Sequence, residues 1–144
     1  MELNSIQSAY LAGLFDGEGT FSVFKRKKGK WIFYQPYLEI GMTHKPTLEW
    51  VSKQTGKGFI FDGHKPHKKH KQAYKLNITG IDTIIKFIDY LFPYLITKKN
   101  VADCVRKFCL SRQGKMRLPV NKRGITEKEL DLFTQIRLLN KRGR

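Results

Sequence analysis

The spacing of apolar and polar positions changes period several times along the chain, and each change marks an element. Residues 4–15 repeat at helical spacing, with Asn4 placed to cap the helix, Gln7 to complete a capping box, and Gly17 and Gly19 to end it. Period two then takes over. Residues 20–27 and 31–43 predict two strands around a Lys28-Gly29-Lys30 turn, with an edge or a bulge where Pro36 interrupts the second run. Lys45-Pro46 opens a short helix through Gln54 that Gly56 stops. Residues 57–62 and 73–79 predict a second strand pair, joined by a basic connector from His64 to His70. Residues 81–92 return to helical spacing through Ile84, Ile85, Phe87, Ile88 and Leu91. Residues 97–111 follow, with Val101, Cys104, Val105 and Phe108 inward, and then a basic loop over 113–123. Thr126-Glu127-Lys128-Glu129 is a capping box for a last helix reaching about Asn140. This order predicts one α+β domain with a single antiparallel sheet covered by helices on one face.

Strand alternation separates the faces of that sheet. Phe21 and Val23, Leu38, Ile40 and Met42, and Tyr74, Leu76 and Ile78 point one way, which makes them core. Ser22, Phe24 and Arg26, Gln35, Tyr37, Glu39 and Gly41, and Ala73, Lys75 and Asn77 point the other way. This second face is polar, basic and partly aromatic. It suits a DNA groove, where strands read base edges, and it equally suits an ordinary solvated surface.

Charge narrows the choice of partner. The 144 residues carry 28 Lys+Arg against 12 Asp+Glu, a net +16, which calls for a polyanion. Arg26, Lys28, Lys30, Lys68, Lys69 and Lys75 are the expected phosphate contacts. No apolar run is long enough to span a bilayer, so nucleic acid is preferred to a membrane. A hydrophobic share of 40% excludes wholesale disorder, and the length suits one domain with a real core. Cys104 and Cys109 read as small core residues in a reducing compartment, and residues 1–14 lack the features of a secretory leader. A basic ribosomal-type protein also satisfies the charge.

The segment Leu11-Ala12-Gly13-Leu14-Phe15-Asp16-Gly17-Glu18-Gly19 is unusual for a surface helix. Ala9, Ala12 and Gly13 form a stripe of small residues along which two helix backbones can approach closely. Gly13 costs about 1 kcal/mol against Ala, which demands a packing reason. Asp16 and Glu18 then sit at the helix end that electrostatics makes poor for anions. A divalent cation on hard oxygen ligands would account for them; a plain C-cap turn with solvated acids is the other reading.

This segment resembles the LAGLIDADG motif, with six of nine letters identical, Phe15 for Ile, Gly17 for Ala and Glu18 for Asp. The order of elements also resembles that family's αββαββα core, across nearly the whole chain. The resemblance implies a saddle-shaped four-stranded antiparallel sheet with helices on one face and an extra C-terminal helix. A single motif resembles the homodimeric branch of the LAGLIDADG homing endonucleases. Such a protein cuts double-stranded DNA at a long palindromic or pseudo-palindromic site, across the minor groove, with Mg²⁺ or another divalent cation such as Mn²⁺. The implied roles fall on particular residues. Glu18 is the metal-binding acid, Gly17 offers its carbonyl to the same ion, and Asp16 is the structural acid. His44 stands where the family often has Gln to order the attacking water. Lys98 resembles the basic residue that stabilises charge in the pocket. Leu48 falls where some relatives have another basic residue, which leaves Lys45 to substitute. The DNA-contacting set is Ser22, Phe24, Arg26, Lys28, Lys30, Gln35, Tyr37, Glu39, Lys68, Lys69, Lys75 and Asn77.

Other readings stay open at this point. His64, His67 and His70 match no standard zinc spacing and sit among lysines, as in a phosphate-contacting loop. A catalytically inactive RNA maturase or DNA-binding regulator of the same fold is the alternative function. The expected partners are DNA and a second copy of the chain, with no membrane and no small-molecule substrate. The expected setting is intracellular, in an organelle (plastid or mitochondrion) or a prokaryotic cytoplasm, with an intron-borne gene.

Overall fold

The computed structural model describes residues 1–63 and 67–141, so the His64-Lys65-Pro66 part of the basic connector lies outside the described residues. The first helix, α1 (Ser5–Glu18), begins with the capping box: Asn4 Oδ1 accepts the Gln7 N–H at 2.8 Å and Gln7 Oε1 accepts the Asn4 N–H at 3.0 Å. Its end differs from expectation. The helix does not stop near Phe15 but runs through Gly17 to Glu18, and the Gly19 N–H closes it on the Phe15 carbonyl. The reason is local. Gly19 is extended, not left-handed, and a Cβ there would lie 2.7 Å from the Phe15 Cα, so only glycine lets helix turn directly into strand. The motif acids are thereby held on the last helical turn.

Strands β1 (Gly19–Lys28), β2 (Trp31–Met42), β3 (Phe59–Asp62) and β4 (Tyr74–Ile78) make one open antiparallel sheet in the order β1-β2-β4-β3. Pro36 causes no bulge: it lies opposite Val23 in an unbroken register. β4 pairs with β2 only from Leu38 onward, so Pro36 has a strand on one side alone and its missing N–H costs no bond there. Between the strand pairs lies α2 (Lys45–Thr55), stopped by Gly56 in the left-handed region.

Helices α3 (Ile81–Leu91), α4 (Lys99–Gln113) and α5 (Glu127–Asn140) complete an α+β fold of five helices and four strands among the described residues. α1, α3 and α4 cover the apolar face of the sheet, and α5 lies over β1 and α4. Phe15 is the hub: its ring centroid is 5.5 Å from Phe21 and 5.3 Å from Phe87, and all three are fully buried with Leu11, Leu38, Ile40, Leu76 and Ile78. Among the described residues, no helix covers the other face. Cys109 is buried, which pushes its thiol up to about 12, whereas Cys104 is only half-buried and bonds Gln135 at 3.6 Å.

The capping box of α5 is half-formed. The Thr126 hydroxyl accepts the Glu129 N–H at 3.3 Å, but the Glu129 carboxylate does not return to the Thr126 backbone. It is fully buried and accepts instead from Arg112 at 3.2 Å, from Ser111 and the Thr126 hydroxyl at 3.1 Å, and from Lys115. Burial alone would raise this carboxyl; the Lys115 and Arg112 bonds outweigh it and hold the group below the usual range. Charge-assisted bonds are the stronger option and win over the backbone amide. They fasten the basic loop and α5 to the end of α4.

Candidate active site and nucleic-acid face

The last turn of α1 collects the polar groups. The half-buried Asp16 faces the segment entering α4, where its Oδ2 accepts the Ile96 N–H at 2.8 Å and its Oδ1 the Lys98 N–H at 2.9 Å. Lys98 answers across the same junction. Its ammonium donates to the Phe15 carbonyl at 3.0 Å, which also accepts the Gly19 N–H, and to the Gly19 carbonyl at the start of β1. Burial lowers the Lys98 pKa, while the Asp16 and Glu18 charges pull it part of the way back. Glu18 is exposed, and among the described residues no cation or donor holds its carboxylate.

Glu18, Gly17 and Lys98 line one polar cleft of about 450 Å³. Its opposite wall is Asn140 and Lys141, from the end of α5, and the Asn140 side chain is fixed by donating to the Phe21 carbonyl at 2.8 Å. Neither residue is signalled by the sequence, because 119 positions separate Asn140 from Phe21. The donor set fits a hard cation: one unpaired carboxylate beside the carbonyls of a helix end suits Mg²⁺, which keeps several waters and takes few protein ligands. No group of three or more His, Cys, Asp and Glu side chains capable of holding a metal occurs among the described residues.

His44 lies elsewhere. It precedes α2, with Nδ1 2.7 Å from the Thr47 hydroxyl, and lines a cleft with Ile6, Tyr10, Pro46 and Trp50 at the other end of α1. Lys45 places its ammonium 5.3 Å from the centre of the Tyr74 ring, and Leu48 is fully buried in the core. The small-residue stripe is shifted from its expected line. Ala12 is fully buried in the chain's own core, because it shares the inward face with Leu11 and Phe15; Ala9, Gly13 and Gly17 are exposed, beside Ile6 and Tyr10. A Cβ at Gly13 or at Gly17 would meet nothing within 4 Å, so the monomer gives neither glycine a packing reason.

The uncovered face of the sheet is ordered in cross-strand rows. Ser22 is opposite Tyr37 and Phe24 opposite Gln35; Thr20, Glu39, Asn77 and Phe59 lie side by side across all four strands, and Gly41, Lys75 and Phe61 across three. Phe24 packs on Tyr37 at 5.2 Å with the Arg26 guanidinium 4.6 Å from its ring centre, and Lys75 pairs with Glu39 at 2.8 Å. Lys28 and Lys30 stand exposed at the hairpin end, and Lys68 and Lys69 in the turn from His67 to His70. Phe59 and Phe61 belong to this face too; the alternation around Ile60 could have revealed them.

The family model for LAGLIDADG endonucleases matches residues 11–107, and the chain belongs to that family. Solved structures repeat the fold at low identity. The archaeal intron-encoded homing endonuclease I-Vdi141I, solved with DNA, is 18% identical with a TM-score of 0.75, over 96% of this chain and 87% of that one. The homing endonuclease I-CvuI, solved on the I-CreI target, is 17% identical with a TM-score of 0.74, over 96% and 85%. I-GzeII, also bound to its DNA target, is 18% identical with a TM-score of 0.66; 96% of this chain covers only 44% of it. No curated protein matches. No helix among the described residues is long and apolar enough to cross a membrane.

Proposed function

We propose that this endonuclease is a homodimeric homing enzyme that hydrolyses both strands of a palindromic or nearly palindromic DNA site with a divalent cation, Mg²⁺ by preference. The observation that carries the reading is the unpaired Glu18 carboxylate sharing a cleft with the Lys98 ammonium on the last turn of the motif helix. When bound, Mg²⁺ supplies Lewis-acid stabilisation of phosphodiester charge and an activated water. Glu18 and the Gly17 carbonyl would hold it. Lys98 sits in the cleft, partly desolvated, where a cation acts strongly on developing anionic charge. His44, expected to order the attacking water, does not line this cleft but the one bounded by Ile6, Tyr10 and Trp50, so it takes no part in the site proposed here.

One observation favours the dimer. The exposed line Ile6, Ala9, Tyr10, Gly13 and Gly17 carries no charge, and its glycines leave room for a second backbone. The basic sheet face, with Arg26, Lys28, Lys30, Lys68, Lys69 and Lys75, is assigned to the DNA backbone, and Ser22, Phe24, Gln35, Tyr37, Glu39 and Asn77 to the base edges.

The test begins with selection of a binding site from random duplex DNA, followed by timed cleavage of that site with and without Mg²⁺. Cleavage of both strands is expected only with the metal. Glu18→Gln keeps shape and removes charge, so it should bind the site and cut it orders of magnitude more slowly. Tight binding with no cutting in any divalent cation would overturn the enzyme reading in favour of a DNA-binding regulator.

A further inference from the structure

The Thr20, Glu39, Asn77 and Phe59 row of the uncovered face has a composition that phosphate contacts do not explain. Phe59 is 70% exposed on an edge strand, where a bare aromatic invites aggregation. It is stacked with Phe61, ring centroids 6.2 Å apart and planes 18° from parallel, so the two rings form a small apolar wall. In the register Phe59 lies directly beside Asn77. Among the described residues nothing is hydrogen-bonded to the Asn77 side-chain amide, whereas its row neighbour Glu39 is taken by Lys75.

An exposed ring and a free carboxamide, adjacent on a basic sheet, are complementary to one base pair. In the major groove an A·T pair alone shows a methyl group, on thymine, next to the paired acceptor and donor of adenine N7 and N6, which a carboxamide matches with two bonds. Spacing agrees as well. Residues two apart on a strand stand about 6.8 Å apart, which is two base-pair steps. We propose that the Phe59–Asn77 row reads an A·T pair in each half-site, the ring against the thymine methyl and the amide against adenine. Phe61 extends the apolar contact two steps along. This rests on the DNA-cutting reading above and adds its specificity-determining residues.

The experiment uses the unmodified full chain, without divalent metal, and the duplex obtained by selection. That site should contain an invariant A·T pair at one position repeated by symmetry in both halves. Replacing its thymine with deoxyuridine removes only the methyl and should weaken binding about fourfold per half-site, the value of one buried methyl group. In Phe59→Ala, whose side chain is too exposed to matter for folding, thymine and uracil should bind alike. In Asn77→Ala, exchange of that pair for G·C should cost much less than in the unmodified protein. Equal sensitivity to uracil with and without Phe59, or no fixed A·T pair in a well-defined site, would overturn this inference alone. Failure to enrich any site would overturn the DNA-cutting reading and this inference with it.

Discussion

Asp16 and Lys98 tie the end of one helix to the start of another: the Asp16 carboxylate accepts the Lys98 N–H at 2.9 Å, and the Lys98 ammonium donates to the carbonyl of Phe15, the residue before Asp16, at 3.0 Å. The exchange joins the end of α1 to the start of α4. It separates the two motif acids into different tasks, since Asp16 is consumed by amides and Glu18 stays open to the cleft.

Asp16→Ala should therefore act on folding first. It leaves the Ile96 and Lys98 amides without their acceptor, and a hydrogen bond to a charged group is worth about 1.5–3 kcal/mol, less at the exposed Ile96 than at the part-buried Lys98. Urea unfolding should show that loss, and residual cleavage should scale with the folded fraction. A fully stable Asp16→Ala protein would contradict the assignment.

Lys98 gives a pH signature. Its pKa is lowered by burial, so the unfolded chain binds a proton that the folded chain has already released over a window ending near the free-lysine value of 10.5. Below that window the cost of the buried ammonium is fully present, and stability recovers as pH rises through it. The difference in unfolding free energy between the unmodified chain and Lys98→Met should shift in favour of the unmodified chain toward pH 10.5. Cleavage should move oppositely, falling as the ammonium deprotonates, and Lys98→Arg should push that alkaline limb upward.

Gly13 tests the dimer. A Cβ there meets nothing within 4 Å, so Gly13→Leu should leave the monomer folded and favour its helix by about 1 kcal/mol. The same side chain stands where the second backbone is proposed to pass, so sedimentation should find a monomer and cleavage should vanish. A Gly13→Leu dimer of unchanged affinity would remove α1 from the interface.

Glu129→Gln probes the far wall of the cleft through α5. The carboxylate is fully buried and bound to Arg112 and Lys115, and removing one partner of a buried pair costs about 3–5 kcal/mol. Because the folded pKa is held down, this stabilisation is present above the ordinary value of 4.5 and is lost as pH falls through the folded one. Acid titration monitored by circular dichroism should show the variant losing that dependence. The Asn140 contact to the Phe21 carbonyl should loosen with it.

The elements, the division of the sheet into two faces and the segment that holds the acids could all be read along the chain. These rest on periodicity and capping, which act between residues a few positions apart. Asn4 with Gln7, and Leu38, Ile40 and Leu76 facing inward, were legible on those grounds. Which groups meet was fixed by the packing of the folded chain. That Asp16 faces the Ile96 and Lys98 amides, that Asn140 and Lys141 wall the cleft, that Ala12 turns inward, and that Glu129 forsakes its cap for Arg112 and Lys115 all depend on helices packed over one sheet. Those pairings follow from competition among charged and buried groups across the fold, and no local pattern records its outcome.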